Sequence, residues 1–404
     1  MLDQSISRNS LKYVLSDHDM HLFQMDAFGF SEEDVINSCI ETFRLDSDFE
    51  IISHSEINGK KIFRIEDITY HILLKRLNET LKTINRVKQS DRESIVRGIK
   101  SLLLDMNGYS IHRLDISGFY ENVSLDTLKK VIFEDEIYSN STKVLVAKWF
   151  KCFEQSGSLG LPRGLSISST LSEIYMKAFD NNVRLLPNTL YYARFVDDIF
   201  YVSTDSSKDS YMKLNNLLPE GIKFSSHPNK RYIVDCLPGD SKRKVDFSYL
   251  GYRFNVNNKD KKDVNVNVGL SNDKIKKIKG RISRALISFY KDEDFDLLEQ
   301  RFRFLTCNYI LSSRYRGTKI RSGIFYNYRS ITNLGKEDLK RLDDFKNNLI
   351  FIDKFRFKLV NDKIDLTLDQ KKNLAKRSFY LGHKNRVFYK FSIPKILKIK
   401  ECWR

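Results

Sequence analysis

The sequence is poor in the residues that build several common kinds of site. Its 404 residues include only five cysteines, Cys39, Cys152, Cys236, Cys307 and Cys402, all far apart. Their spacing excludes a Cys-x-x-Cys zinc site, and their odd number argues against a disulfide framework. They read as small buried hydrophobes. The seven histidines are scattered too, which leaves little support for a His-based metal site or a nucleophilic triad. Six prolines leave little room for long irregular linkers. No apolar run approaches membrane-spanning length, and Met1-Leu2-Asp3-Gln4-Ser5 lacks a basic-then-apolar leader. The expectation is a cytoplasmic protein without a membrane partner. There is no internal repeat and no low-complexity segment.

What is present is a globular composition, 41% hydrophobic and 30% charged, in a chain long enough for two or three subdomains. Lys+Arg total 69 against Asp+Glu 52, a formal net charge of +17, with 12% aromatic residues. That balance suits a polyanionic partner, most simply nucleic acid. A membrane surface or plain solubility would give the same sign. The basic residues, however, recur on predicted helices instead of one tail.

The chain turns on Tyr191 to Thr204, where two strand-forming runs flank Asp197 and Asp198. Asp is a poor strand residue and a good turn residue, so a hairpin with both carboxylates at its tip is expected. An exposed acidic turn would look the same. A divalent cation shared with a further carboxylate would instead explain two anions beside Phe195, Val196, Ile199 and Phe200. Upstream, a strand beginning at Ser110 breaks at Ser117-Gly118 and carries Asp115 near its end, followed by a helix capped by Ser124. Between the acids, Gly160-Leu161-Pro162-Arg163-Gly164 feeds a helix from Ser166 with small residues on one face. Its N–H groups and Arg163 could hold phosphate, and a plain loop-helix junction reads equally well.

Other elements follow from local pattern. A hairpin spans Asp48 to Glu66 around Asn58-Gly59, and helices cover Thr69 to Thr83 and Arg92 to Asp105. The polar link between those helices, Asn85 to Arg92, either grips phosphates or is solvated. After the acidic hairpin come a helix at Ser207 to Leu218, a strand at Ile222 to Ser226 and a basic turn, His227 to Arg231. Phe247 to Phe254 alternates aromatics around Gly251 as a hairpin. Asn272 to Tyr290 is a basic amphipathic helix: Ile275, Ile278, Ile282 and Leu286 form one side, and Lys274, Lys276, Lys277, Lys279, Arg281 and Arg284 lie around the rest. The remainder reads as helical and basic, with tyrosines at Tyr309, Tyr315, Tyr326 and Tyr328.

The order and spacing of these motifs resemble the palm of reverse transcriptases over about residues 60 to 290. Asp115-Ile116-Ser117-Gly118-Phe119-Tyr120 is similar to their first catalytic motif, Gly160 to Gly164 to their Leu-Pro-Gln-Gly loop, and Phe195-Val196-Asp197-Asp198 to Tyr-x-Asp-Asp. Phe247 to Phe254 matches the primer-grip hairpin, and Lys230 stands where a lysine often precedes it. The resemblance implies an α+β right-hand polymerase fold with fingers and an antiparallel-sheet palm, followed by an α-helical thumb or C-terminal domain. It divides the chain into N-terminal and fingers elements (1–110), a palm with interleaved fingers elements (111–255) and a basic, helical thumb-like region (256–404).

The same resemblance implies two Mg²⁺ ions, with Mn²⁺ as the alternative, held by Asp115, the Ile116 carbonyl and Asp197, with Asp198 as a weaker neighbour. Ser117, Gly118, Phe119, Tyr120, Arg163, Gly164, Lys230 and Arg92 would surround a deoxynucleotide. Within that set Tyr120 would exclude a 2′-hydroxyl, Lys230 would neutralise pyrophosphate unless it is simply a surface lysine, and Arg86, Lys88 and Arg92 would grip the triphosphate. Gly251, Tyr252, Lys274, Lys277, Arg281 and Arg284 would contact nucleic acid. Two departures, Arg163 for glutamine and Phe195 for tyrosine, make the chain look like bacterial defence-associated and abortive-infection reverse transcriptases. The implied partners are dNTPs, an RNA template (a non-coding RNA), the DNA product, and a second polymerase subunit or another copy of the chain. Template-independent or protein-primed synthesis from a tyrosine hydroxyl is the rival expectation, and a catalytically silent RNA-binding scaffold is the third.

Overall fold

The computed structural model describes residues 3–45, 48–49, 52–57, 59–88, 90–104, 108–237, 244–260, 263–312, 319–351 and 366–403. It divides into two compact units, Met1–Ser90 with Gly108–Leu237, and Asp91–Asn107 with Pro238–Arg404. No described helix is long and apolar enough to cross a membrane.

The first unit holds an antiparallel hairpin, β1 (Ile52–Ile57) and β2 (Lys60–Ile65), whose register pairs Ile57 with Lys60. Asn58, half of the expected turn, lies outside the described residues. Its main sheet has four strands: β3 (Tyr109–Asp115), β4 (Thr189–Phe195), β5 (Asp198–Ser203) and β6 (Tyr232–Cys236), in the order β4-β5-β3-β6. β3 is central and almost wholly buried, which suits Ile111 and Leu114, and it forces His112 to stay neutral. Burial pushes that imidazole down to about 4. Helices Ile68–Ile84 and Ser166–Leu185 pack on one another, and their apolar residues Ile72, Leu73, Leu77, Ile167, Leu171 and Ile174 are buried.

The strand expected at Ile222 to Ser226 is not a strand. The free edge of β3 has room for one regular partner along residues 109–113, and Tyr232-Ile233-Val234 of β6 takes it. Residues 222–226 instead meet the chain beyond that edge, through a single bridge between Ile116 and Phe224. Two bonds hold this passage to the end of β3: the Ser117 N–H donates to the Lys223 carbonyl (2.9 Å) and the Ser225 N–H to the Asp115 carbonyl (2.7 Å).

The second unit holds a three-stranded antiparallel sheet, β7 (Lys244–Tyr249), β8 (Tyr252–Asp260) and β9 (Asp263–Leu270). The Val-Asn-Val-Asn-Val alternation of β9 was readable in the sequence, and Val266 and Val268 are buried as its period requires. The amphipathic helix spans Asn272–Asp292 and buries Ile278, Ile282 and Leu286. The region after it is mainly helical but adds a strand pair, β10 (Asn308–Ser312) and β11 (Lys319–Gly323). Of the tyrosine group, Tyr309 stacks on Phe304 at 4.6 Å, Tyr328 is buried, and Tyr315 lies outside the described residues. The helix Arg92–Leu103 clusters with this unit, although it precedes β3 in the chain.

Candidate active site

β4 and β5 form a two-residue hairpin in which Phe195 faces Asp198, so only Val196 and Asp197 occupy the turn. Asp198 is the first residue of β5, where the register sets it opposite Asp115 at the end of β3. The turn is strained, because Val196 has φ +61°, a left-handed conformation that β-branched residues avoid. It is held from both sides. Ile116 donates its N–H to the Asp197 carbonyl at 3.0 Å, and the Arg194 guanidinium donates to the Val196 carbonyl at 2.9 Å.

Two carboxylates directly opposite one another repel. Lys230 offsets part of this by placing its ammonium 2.7 Å from Asp115 Oδ1, while Arg113 Nη2 lies 3.4 Å from Asp198 Oδ1. Burial, followed by the neighbouring carboxylates, still pushes the Asp197 carboxyl up and the Asp198 carboxyl up to about 6. Arg113 also donates to the Asn229 carbonyl at 2.8 Å, tying the turn that carries Lys230 to β3. Among the described residues, no three His, Cys, Asp or Glu side chains converge as a preformed metal cage. The donors that meet here are hard carboxylate oxygens under mutual repulsion, and such a set fits a divalent cation with oxygen preference.

Following Asp115, Ser117 and Gly118 are exposed, with Gly118 at φ +51°, whereas Phe119 is 1% exposed and belongs to the core. Tyr120 is half-buried. Burial raises its phenol, and the charge of Asp197 adds to the rise. The Arg163 guanidinium lies 5.2 Å from the Tyr120 ring centroid, and its Nη2 donates to Glu121 Oε2 at 2.8 Å. Arg163 is therefore tied to Glu121, and its bond lowers the Glu121 carboxyl. The small residues Ser168, Thr170 and Ser172 point into the protein and are buried.

The glycines of the loop answer to backbone contacts. A Cβ on Gly164 would lie 2.5 Å from the Phe63 carbonyl oxygen, where β2 docks by donating the Phe63 N–H to the Arg163 carbonyl at 2.7 Å. A Cβ on Gly160 would lie 2.5 Å from the Tyr120 carbonyl oxygen and 2.8 Å from that of Glu121. Gly160→Ala is therefore expected to push back the segment carrying Tyr120 and to cost about 1–3 kcal/mol, the usual range for overpacking. Thermal denaturation measures it, and a variant as stable as the parent would show that this approach is not required.

In the second unit, Arg92 opens the helix Arg92–Leu103. It donates to the Leu250 carbonyl at 2.8 Å, and its guanidinium lies 4.9 Å from the Tyr252 ring centroid. Gly251 allows this packing, since a Cβ there would lie 2.7 Å from Lys274 Cε and 3.2 Å from Arg92 Nη2. Burial, then Arg92, Lys277 and Arg281, lower the Lys274 ammonium. Further along the same helix, Arg281 lies over the Trp403 ring, and Arg284 reaches the Trp403 carbonyl at 3.4 Å. The result is a basic cluster around a glycine turn, of the kind that phosphates recognise.

Sequence reasoning missed Arg194, Arg113 and Glu121. The signal for Arg194 was present: Glu173 and Asp180 stand seven residues apart, on one face of the helix that precedes β4.

The family model for reverse transcriptase (RNA-dependent DNA polymerase) matches residues 58–254. No curated protein matches the chain. Among solved structures, telomerase from Candida albicans in complex with a fragment of telomeric RNA aligns at 12% identity and TM-score 0.40, covering 90% of this chain and 64% of that one. Apo telomerase from Candida tropicalis aligns at 12% and 0.39, covering 87% and 66%, and a form truncated from its C-terminal domain at 14% and 0.37, covering 57% and 58%. The chain thus spans less than two thirds of each telomerase chain, and likeness at this level leaves function to its own residues. Residues 58–254, just under half of the chain, match the reverse transcriptase family model, and they contain Asp115, Asp197, Asp198 and the loops around them.

Proposed function

We propose that this chain extends DNA on an RNA template by a Mg²⁺-dependent mechanism, with Asp115, Asp197 and Asp198 as its catalytic carboxylates. The observation that carries this reading is the register that sets Asp198 opposite Asp115 and hangs Asp197 from the Ile116 N–H, within residues that match the reverse transcriptase family model. Asp115, Asp197 and the Ile116 carbonyl would hold the ions, with Asp198 kept close by Arg113. When bound, two such ions activate the primer hydroxyl and neutralise the leaving pyrophosphate. Tyr120, beside the Arg163 guanidinium, would lie under the sugar and disfavour a 2′-hydroxyl. Lys230 would pass from Asp115 to the charge developing on the phosphates. We read the basic cluster of Arg92, Gly251, Tyr252 and Lys274 as a nucleic-acid contact, the first unit as fingers and palm, and the later part of the second as a thumb. The Gly-Leu-Pro-Arg-Gly loop and Phe-Val-Asp-Asp turn support an antiphage role in the bacterial cytoplasm, with a partner non-coding RNA as template.

Primer extension on an RNA template tests the core of this reading. Incorporation of dNTPs that requires Mg²⁺ and is abolished by prior RNase treatment is expected. Equal incorporation without RNA, or product DNA left on a tyrosine peptide after protease and nuclease treatment, would favour the template-independent or protein-primed route. Sequencing the nucleic acid that co-purifies from infected cells tests the partner.

The carboxylate strain makes a second prediction. For Asp198 the folded-state carboxyl titrates near 6 against an ordinary 3.8, so between these values the folded protein binds more protons than the unfolded chain. The contribution of Asp198 to the stability of the metal-free protein therefore falls as pH rises from about 4 to 6, with Asp197 acting in the same direction and buried His112 acting against both. The trend is read as the difference between the parent and Asp198→Asn. Mg²⁺ should raise the melting temperature above pH 6 and have little effect near pH 4. A Mg²⁺ shift of equal size at both pH values would remove this account of the centre.

A further inference from the structure

A cavity of about 170 Å³ in the first unit opens between the loop that follows helix Ile68–Ile84 and the outer face of helix Ser166–Leu185. Its charged lining includes Arg86, Lys88, Lys177 and Arg184, with Arg194 also lining it. The two acids beside them are already used. Arg194 binds Asp180 through Nε (2.9 Å) and Nη2 (2.7 Å), and Glu173 through Nη1 (3.0 Å) and Nη2 (2.6 Å). Arg86, Lys88, Lys177 and Arg184 make no ion pair among the described residues, although Arg184 lies over the Tyr192 ring at 5.3 Å. Five cations, counting Arg194, therefore line one small cavity with only two acids, and four of the five have no direct ion pair among the described residues.

The loop is also built at a cost. Helix Ile68–Ile84 closes with the Val87 N–H bonded to the Lys82 carbonyl (3.0 Å) and the Arg86 N–H to that of Thr83 (3.3 Å). This is the Schellman arrangement, whose left-handed position belongs by preference to glycine. Arg86 occupies it at φ +51°. A strained residue with a long cation, aimed at a cavity already rich in cations, points to a ligand. None of Asp115, Asp197 and Asp198 lines the cavity.

We propose that this cavity binds a run of phosphoryl groups, outside the catalytic centre, with Arg86 and Lys177 as its principal contacts. Both a free polyphosphate, such as the tail of a nucleoside triphosphate, and the backbone of a nucleic-acid strand present that chemistry. Binding here needs neither metal nor turnover, so it stands or falls apart from the polymerase reading. Because Arg194 lines the cavity and also holds the Val196 carbonyl, an occupant would touch the support of the catalytic turn.

The test is titration calorimetry on the full chain without divalent metal, using inorganic triphosphate and a 12-nucleotide oligouridylate as separate probes. The variant is Arg86→Gly with Lys177→Gln. Glycine is the residue that the left-handed position prefers, so an unchanged or higher melting temperature is expected. A rise in Kd of at least tenfold for both probes supports the site and assigns it to free polyphosphate as well as to strands. The same rise for the oligonucleotide alone supports it as a strand contact. Unchanged affinity for both probes overturns the proposal. So does a loss seen only with Arg163→Gln and Lys230→Gln, which would return the binding to the carboxylate centre.

Discussion

Asp197→Asn is expected to lower the single-turnover rate of nucleotide incorporation by at least about 10³-fold, or roughly 4 kcal/mol of barrier, without lowering the melting temperature. The amide is nearly the size of the carboxylate, and the bond that positions this residue runs from the Ile116 N–H to the backbone carbonyl, so the turn survives. What disappears is a charge that the folded protein tolerates poorly, since burial and Asp115 both hold the carboxyl up. A charge kept against folding stability is kept for chemistry. Asp198→Asn should cost less activity, because Asp198 is already drawn towards Arg113 and stands second to Asp197 in the proposed roles. An Asp197→Asn protein that incorporates nucleotides within tenfold of the parent would defeat the assignment.

The second large effect concerns a residue outside the carboxylate set. Arg194→Met should destabilise the protein by about 3–5 kcal/mol, the usual consequence of removing one partner from a buried ion pair. The side chain of Arg194 is 3% exposed, and its loss would strand Asp180 and Glu173. Tyr192 would remain bonded to Asp180 but could not neutralise it. The same substitution removes the donor to Val196, so the strained turn should relax and incorporation should fall beyond what stability explains. Adding Asp180→Asn and Glu173→Gln to Arg194→Met separates the two effects. The triple variant should recover much of the melting temperature, because no buried charge is left alone, and should stay slow, because the turn is still unsupported. Recovery of both together would mean that Arg194 serves stability only.

The carboxylates were legible because their chemistry demands residue types that local structure disfavours. Asp197 and Asp198 interrupt a run of aromatic and β-branched residues, and nothing in strand propensity accounts for them. The hairpin at Phe247 to Phe254 and the basic helix after it were legible for the opposite reason, since period and turn residues agreed with the final structure. The strand expected at Ile222 to Ser226 lies ten residues on, at Tyr232–Cys236. Two neighbouring segments both suited extended backbone, and only the free edge of β3 chose between them.

Arg163 and Arg92 show the same limit in side chains. The sequence offers both as candidate phosphate contacts and is silent on what each touches within the protein. Glu121 takes the first, and the Leu250 carbonyl with the Tyr252 ring orients the second. Such pairings join residues 42 and 158 positions apart, which no periodicity reports.

By itself the sequence determined that this chain carries clustered acids on a polymerase-like order of motifs, within a strongly basic protein. Those properties reside in residue type and spacing, and they are written locally. Tertiary structure alone decided that Asp198 stands across from Asp115, that Arg194 spends every donor on two acids and one strained carbonyl, and that four further cations line a cavity beside those acids with no direct ion pair among the described residues. The reason is physical: charge in a protein is settled by which partners burial brings within hydrogen-bonding distance, and that distance is set by the packing of the whole unit.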